Sequence, residues 1–370
     1  MNGIDARIEA LLRRPVSRRG LLRGAMGLAA CGMAAGAAGG LAGCGRSDSP
    51  DELNIFIWTE YVPDSVLEGF EKETGIHINQ YLYSSNEDML AKVRTENPGT
   101  YDILQPTDYM VKSLIAQGLL EKLDKSALTN AGNIGKQYMD QDFDPGNRYS
   151  IPFMGSCTTI AYNRKLVDKA PTSFKDLLGE EYRSSIVSLN DFREILGVAG
   201  YTVGLTGNET DDKDIAKIGE QAMKLKPNIK VYDSDSPRNA LISGDCKAGI
   251  IWTAEIALAQ RENPDIQVAF ASEGAGIGTD NWVVPKGARH FDNAMRFINY
   301  MLRPEVAKVV SEDYPYVQPN TEAIKLLDKD FQENPVENVP AEVFSKGHRT
   351  EALPPKVLRK YDKLWTEMKG

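Results

Sequence analysis

Histidine and cysteine are scarce in this chain of 370 residues. The three histidines, His77, His290 and His348, lie far apart with no partner at metal-ligand spacing, so no metal site is expected, and nothing calls for a cofactor. No Gly-x-Ser-x-Gly elbow, His-Glu-x-x-His helix, phosphate loop or Cys/His pair is present, which leaves the common hydrolytic and nucleotide-dependent chemistries without support. Basic residues are outnumbered 43 to 52, for a formal charge of −9. Residues 1–44 hold six arginines and two acids, so the remainder carries −13, a poor surface for nucleic acid and a mild preference for a cationic ligand. Long low-complexity polar runs are missing too. With 42% hydrophobic and 26% charged residues, collagen, coiled coil and wholesale disorder are excluded, and the length suits two domains.

The N-terminus reads as an export signal. A basic stretch ending Ser17-Arg18-Arg19-Gly20-Leu21-Leu22-Arg23 precedes an apolar run from Gly24 to Gly43, in which seven of twenty residues are glycine. Its weak hydrophobicity favours a leader over the other reading, a stable anchor helix. The paired arginines resemble a twin-arginine signal, and Leu41-Ala42-Gly43-Cys44 resembles a lipobox, which implies lipidation at Cys44 and an extracytoplasmic protein held at a membrane. The alternative is a plain cleaved leader with a chance cysteine. Residues 45–52 form a polar tether. With Cys31 in the leader, Cys157 and Cys246 remain in an oxidising compartment where a disulfide is open to them, although strand-like surroundings favour two buried thiols.

From residue 53 the hydrophobic period switches repeatedly between strand and helix lengths, the pattern of βα units on a mostly parallel sheet. Strands are expected at 53–58, 76–83, 101–105, 151–163, 248–252 and 280–285. Helices are expected at 64–74, 108–117, 214–225, 254–261, 291–301 and 304–311, with another opening near Asp191 and one capped by Asn86. The segment Gly274 to Gly278 reads as a flexible approach to a pocket. The fold class expected is α/β, two lobes with a cleft between them: 53–155 with about 281–325, and 156–280 with about 326–370. Ligands in open α/β sheets sit at the carboxyl ends of strands, where Trp58, Pro106 and Trp252 fall.

Trp58-Thr59-Glu60-Tyr61-Val62-Pro63 begins an ordered series of familiar strings. It continues through Phe70-Glu71-Lys72-Glu73-Thr74-Gly75-Ile76, Ser85-Asn86-Glu87, Tyr101-Asp102-Ile103, Phe143-Asp144-Pro145, Tyr149-Ser150-Ile151-Pro152, Asp191-Phe192-Arg193-Glu194, Ile251-Trp252 and Leu302-Arg303-Pro304. Taken together, from about 53 to 330, these resemble the spermidine/putrescine-binding proteins of bacterial polyamine ABC importers. The resemblance implies a type II periplasmic-binding-protein clamp that closes on its ligand, no enzymatic activity, a permease and an ATPase as partners, and a monomer.

A polyamine presents ammonium groups joined by methylenes, so its cleft needs carboxylates at set separations and apolar or aromatic walls between them. By resemblance, Trp58, Thr59, Glu60, Tyr61, Thr107, Tyr109 and Tyr316 line one side, while Asp191, Glu194, Trp252 and Asp280 supply the other. Glu255 matches an acidic position of the putrescine-preferring branch. Each also has a structural reading: Asp191 and Glu194 are spaced as a capping box, Trp58 suits a core, Glu60 alone is an ordinary solvated acid, and Tyr109 and Tyr316 suit a lobe interface.

One position departs from the pattern. The family's aromatic two residues before Asp280 is here Gly278, which opens room for a longer or bulkier amine unless Trp282 substitutes. A Trp restored at 278 is expected to tighten binding. Two other readings stand beside the polyamine receptor: the same clamp bound to another organic cation or amino-acid-derived solute, and a secreted hydrolase using Asp191 and Glu194 as acid and base. His348 and Arg349 give no match specific enough to assign.

Overall fold

A computed structural model of the chain describes residues 50–370; the twin-arginine stretch, the lipobox with Cys44 and most of the tether lie outside the described residues. The chain enters through β1 (Glu52–Trp58), α1 (Asp64–Thr74), β2 (His77–Tyr83), α2 (Asn86–Thr95), β3 (Ile103–Leu104) and α3 (Asp108–Ala116). After a long irregular connection, β4 (Ser150–Asn163) leads to β5 (Ile186–Ser188), α4 (Phe192–Tyr201), α5 (Asp212–Leu225), β6 (Ile229–Tyr232), α6 (Arg238–Ile242), β7 (Ala248–Trp252), α7 (Thr253–Glu262) and β8 (Ile266–Ala269). The return runs through β9 (Gly276–Val283), α8 (Phe291–Met301) and α9 (Pro304–Asp313). Short helices α10 (Thr321–Ile324), α11 (Lys329–Glu333) and α12 (Ala341–Lys346), strand β10 (His348–Arg349) and α13 (Pro355–Lys369) close the chain.

Local signals explain the clearest elements. In α1, Val66, Leu67 and Phe70 share a buried face, and Gly75 ends the helix at φ 74°, a left-handed conformation that glycine adopts without a Cβ clash. In α2 the cap is Ser85, whose side chain accepts from the Asp88 amide, and Asn86 is the first helical residue rather than the cap. Its amide is needed elsewhere, as described below.

The strands form one mixed sheet in the order β2-β1-β3-β9-β4-β7-β5-β6, with β8 added to β4 and β10 to β9. Parallel pairing holds at both ends, β1 with β2 and β3, and β5 with β6 and β7. The centre is antiparallel, because β9 pairs with β3 and β4, and β4 also pairs with β7. The long strands β4 and β9 thus join two parallel units, which the short-range periodicity did not reveal.

Apolar residues gather into separate cores. One, around Ile55, Phe70, Trp282 and Phe297, is built mainly from β1, α1 and the return segment α8–α9, and a neighbouring one joins Phe56, Met89 and Leu104. Another, around Ile160, Leu196, Ile250 and Tyr361, draws on the β4–β8 region and the C-terminal helix. Cys157 packs with Ile277, Val317 and Val339 in a smaller cluster, and both Cys157 and Cys246 are buried free thiols.

Two expectations near β9 need correction. Residues 276–278 belong to a fully buried strand instead of a flexible approach, since β4 supports Gly276 and Gly278 on one side and β10 pairs with Gly276 on the other. Trp282 does not reach the pocket. Alternation puts it on the same face as Asp280, but about 7 Å further along the strand that face has passed into the core. There its ring is fully buried, edge-on to Phe297 and tilted against Phe153.

Candidate functional site

The carboxyl ends of β1, β3 and β7 open onto a cleft that is partly open to solvent. Trp58, Thr59, Tyr61, Thr107, Tyr109, Asp191, Glu194, Trp252, Asp280 and Tyr316 all line it, as read from the sequence. The lining also includes Tyr83, Asn86, Ser156, Arg193, Ser234, Asp235, Ile277 and Thr350, for which the sequence carried no separate signal.

Asp280 is the best-anchored acid. It lies on β9 opposite Thr107, bridged to it across the end of the β3–β9 pairing. Thr107 sits at the cap position of α3 but does not cap it: its hydroxyl donates 2.6 Å to Asp280 Oδ1 and accepts from the Asn86 side-chain amide. Tyr61 OH donates 2.5 Å to Asp280 Oδ2. Both carboxylate oxygens are therefore held, and burial pushes the carboxyl up to about 7, with the two hydroxyl donors pulling the other way.

Across the cleft, Asp191 caps α4 by accepting from the amides of Arg193 and Glu194, so its capping role and its place in the cleft wall hold together. Burial raises its carboxyl. Burial and the neighbouring Asp191 push Glu194 up to about 7, and the Glu87 carboxyl from α2 up to a similar value. A Cβ at Gly276 would lie 3.0 Å from Glu194 Oε2, so glycine there leaves room for that carboxylate. The cation beside them, Arg193, is buried and donates to the Glu351 carbonyl and to Asn208, and its charge pulls the Glu87, Asp191 and Glu194 carboxyls down against that burial.

Rings wall the space between the acids. Trp58 packs on Tyr83 at 4.6 Å between centroids and donates its Nε1–H to the Gln105 carbonyl, Tyr61 meets Tyr316 edge-on at 4.7 Å, and Trp252 lies 6.5 Å from Tyr316. Buried acids, hydroxyl donors and rings on opposite walls suit a ligand with separated ammonium groups and an apolar backbone.

Gly278 leaves no vacant ring space directly above its Cα. A Cβ there would meet Thr107 Cγ2 and Ser156 Oγ, each at 2.9 Å. Thr107 is pinned by Asp280, so a larger residue at 278, expected from the sequence to tighten binding, instead presses on that contact.

Glu60 and Glu255 lie outside the cleft lining. Both are bound by Arg238: its Nη1 donates 2.9 Å to each Glu255 oxygen and its Nη2 donates 2.9 Å to Glu60 Oε2. Glu60 holds φ 50°, an uncommon left-handed conformation for a residue with a Cβ. A second ion pair spans the region near Thr350, where Arg349 Nη1 donates 2.9 Å to Asp108 Oδ2. Arg238 did not stand out in the sequence and Arg349 gave no assignable match, since Glu60 and Asp108 lie 178 and 241 residues away from them.

Residues 65–338 match the model of the bacterial extracellular solute-binding protein family. The chain belongs to that family. It is 37% identical over 317 residues to the spermidine/putrescine-binding periplasmic protein of Salmonella typhimurium, covering 85% of this chain and 91% of that one. A putative spermidine/putrescine ABC transporter from Listeria monocytogenes is similar in structure with a TM-score of 0.83 at 29% identity, covering 86% and 99% of the two chains. The spermidine/putrescine ABC transporter substrate-binding protein PotD of Streptococcus pneumoniae gives 0.72 at 31% identity, covering 86% and 98%. This solute-binding protein therefore has the two-lobe α/β fold, works outside the cytoplasm and captures its solute without transforming it. The hydrolase reading of Asp191 and Glu194 falls with that assignment.

Proposed function

We propose that this solute-binding protein captures a polyamine of the spermidine/putrescine class and delivers it to the permease and ATPase of an ABC importer. The observation that carries the reading is the charge of the cleft: Asp191, Glu194, Asp235 and Asp280 line it against a single base, Arg193, whose hydrogen bonds are directed to the Glu351 carbonyl and Asn208. The names of the relatives point the same way. Asp280, with its two hydroxyl partners, takes one ammonium group, and Asp191 with Glu194 takes another. Trp58, Tyr61, Tyr109, Trp252 and Tyr316 flank the methylenes, and Thr59 and Thr107 complete the wall.

The lobes are 53–155 with about 281–325 and 156–280 with about 326–370, a division supported by the separate apolar cores on either side of β4 and β9. Residues 1–44 act as a twin-arginine leader ending in lipidation at Cys44, 45–52 serve as a tether, and the protein acts as a monomer. Calorimetric titration with putrescine, cadaverine, spermidine and spermine at moderate salt tests the main reading. Micromolar or tighter binding to one of them is expected. Silence from a folded protein overturns the polyamine reading in favour of a different organic cation or amino-acid-derived solute.

A further inference from the structure

The Arg238 cluster sits immediately behind the cleft wall. Glu60 lies between Thr59 and Tyr61, Glu255 follows Trp252 by one helical turn, and Arg238 follows Ser234 and Asp235; all five of those flanking residues line the cleft. Tyr316 adjoins both regions, packing at 4.7 Å on Tyr61, which binds Asp280, and lying 6.5 Å from the Trp252 ring. The guanidinium satisfies both acids at once. Its contact with Glu255 is nearly enclosed, that acid being 5% exposed at its side chain and Arg238 17%. Ser236 Oγ adds a 3.4 Å contact to the other oxygen of Glu60. Two carboxylates from distant parts of the chain, placed where an ammonium group is wanted, have a cation of the protein's own.

We infer that Arg238 is a specificity-determining residue, a fixed internal cation that fills the acidic position formed by Glu60 and Glu255 and ends the cleft on that side. The inference rests on the polyamine reading. An amine whose charges match Asp280 and the Asp191–Glu194 pair is accepted, and one whose further ammonium group extends past Trp252 and Tyr316 meets a guanidinium there. With those carboxylates already paired inside the protein, a further ammonium group finds little attraction there, and such a difference in affinity discriminates between otherwise similar ligands. Arginine suits the task better than lysine, because its planar fork holds both acids in one geometry and stays charged.

The test is titration of the wild-type protein, Arg238→Met and Arg238→Lys with putrescine and spermidine at pH 8. Removing the cation unpairs both acids, leaving Glu60 free and Glu255, whose carboxyl then rises further, to ionise only against an incoming ammonium group, so Arg238→Met is expected to raise the affinity for spermidine relative to putrescine roughly tenfold. Arg238→Lys keeps the charge and is expected to hold the wild-type ratio. Using the ratio removes any uniform loss caused by weaker closure across the cleft. Should the Met variant fail to fold, Arg238→Gln, which keeps a donor toward Glu255, is measured in its place with the same expectation. A wild-type protein that binds putrescine or spermidine, with a ratio unmoved by loss of the charge, overturns the role of Arg238 alone. A folded wild-type protein that binds no amine overturns the polyamine reading and this inference with it.

Discussion

Asp280→Asn isolates the charge of the best-anchored acid while keeping its shape. In the wild-type protein the two carboxylate oxygens accept from Thr107 and Tyr61, at 2.6 and 2.5 Å. An asparagine presents one oxygen and one amide, and either hydroxyl can turn to accept instead of donate, so the pocket is expected to survive. What disappears is the charge opposite a ligand ammonium. Losing one member of a buried, hydrogen-bonded charge pair costs on the order of 2 kcal/mol or more, about 30-fold in affinity. The size of the deficit depends on pH. The wild-type carboxyl is pushed up to about 7, so in the empty protein it is mostly ionised at pH 8 and mostly protonated at pH 6. An ammonium ligand binds the ionised form, and the proton that must leave reduces affinity about tenfold at pH 6 through this one group. Calorimetry at both pH values should therefore show a deficit for Asp280→Asn near 30-fold at pH 8 that shrinks to a few-fold at pH 6. An affinity equal to wild type at pH 8, or a deficit that does not change with pH, would refute the assignment.

The same raised carboxyls set the stability of the empty protein. Asp280, Glu194, Glu87 and Glu255 are each pushed up to about 7, mainly by burial, and Asp108 to about 6. A carboxyl raised above its unfolded value favours the folded state at low pH and loses that contribution as pH rises through the folded value. The ligand-free Tm should accordingly fall between pH 6 and pH 8, and saturating polyamine should raise Tm more at pH 8 than at pH 6; a thermal shift series with the opposite slope contradicts this. Asp191→Asn keeps a good cap on α4 and should lower polyamine affinity with little change in Tm, whereas Asp191→Ala should also lose about 1 kcal/mol of stability; equal Tm for the two variants removes the capping role. Gly278→Trp should weaken polyamine binding, because its Cβ alone drives Thr107 away from Asp280; tighter binding by titration would show that the pocket can accept a ring there.

How much of this was legible in the sequence depends on the range of the interaction that decides each element. Helix α1 and its Gly75 stop, helix α8 and strand β7 were read to the residue, because capping, a buried face and a short apolar run are all local. Strand β3 shrank to two residues, and β9 began four residues earlier than read, at glycines that look like breakers in isolation. Pairing on both edges overrides that local signal, and the missing Cβ at 276 makes room for Glu194.

The site shows the same division between what a residue is and what it meets. Acids and rings flagged one by one do converge on the cleft, since strand ends and helix starts carry them there. Their pairings were not legible, because Arg238 meets Glu60 across 178 residues and Thr107 meets Asp280 across 173. Those pairings decide which carboxylates remain for a ligand. A cleft counted from sequence alone includes Glu60 and Glu255 among its free charges, whereas in the fold both are paired with Arg238. Counted after pairing, Asp280 and the Asp191–Glu194 pair are the buried acidic centres of the cleft, with Asp235 at its exposed margin, and ligand selectivity should follow the distance between the two buried centres rather than the number of acids nearby.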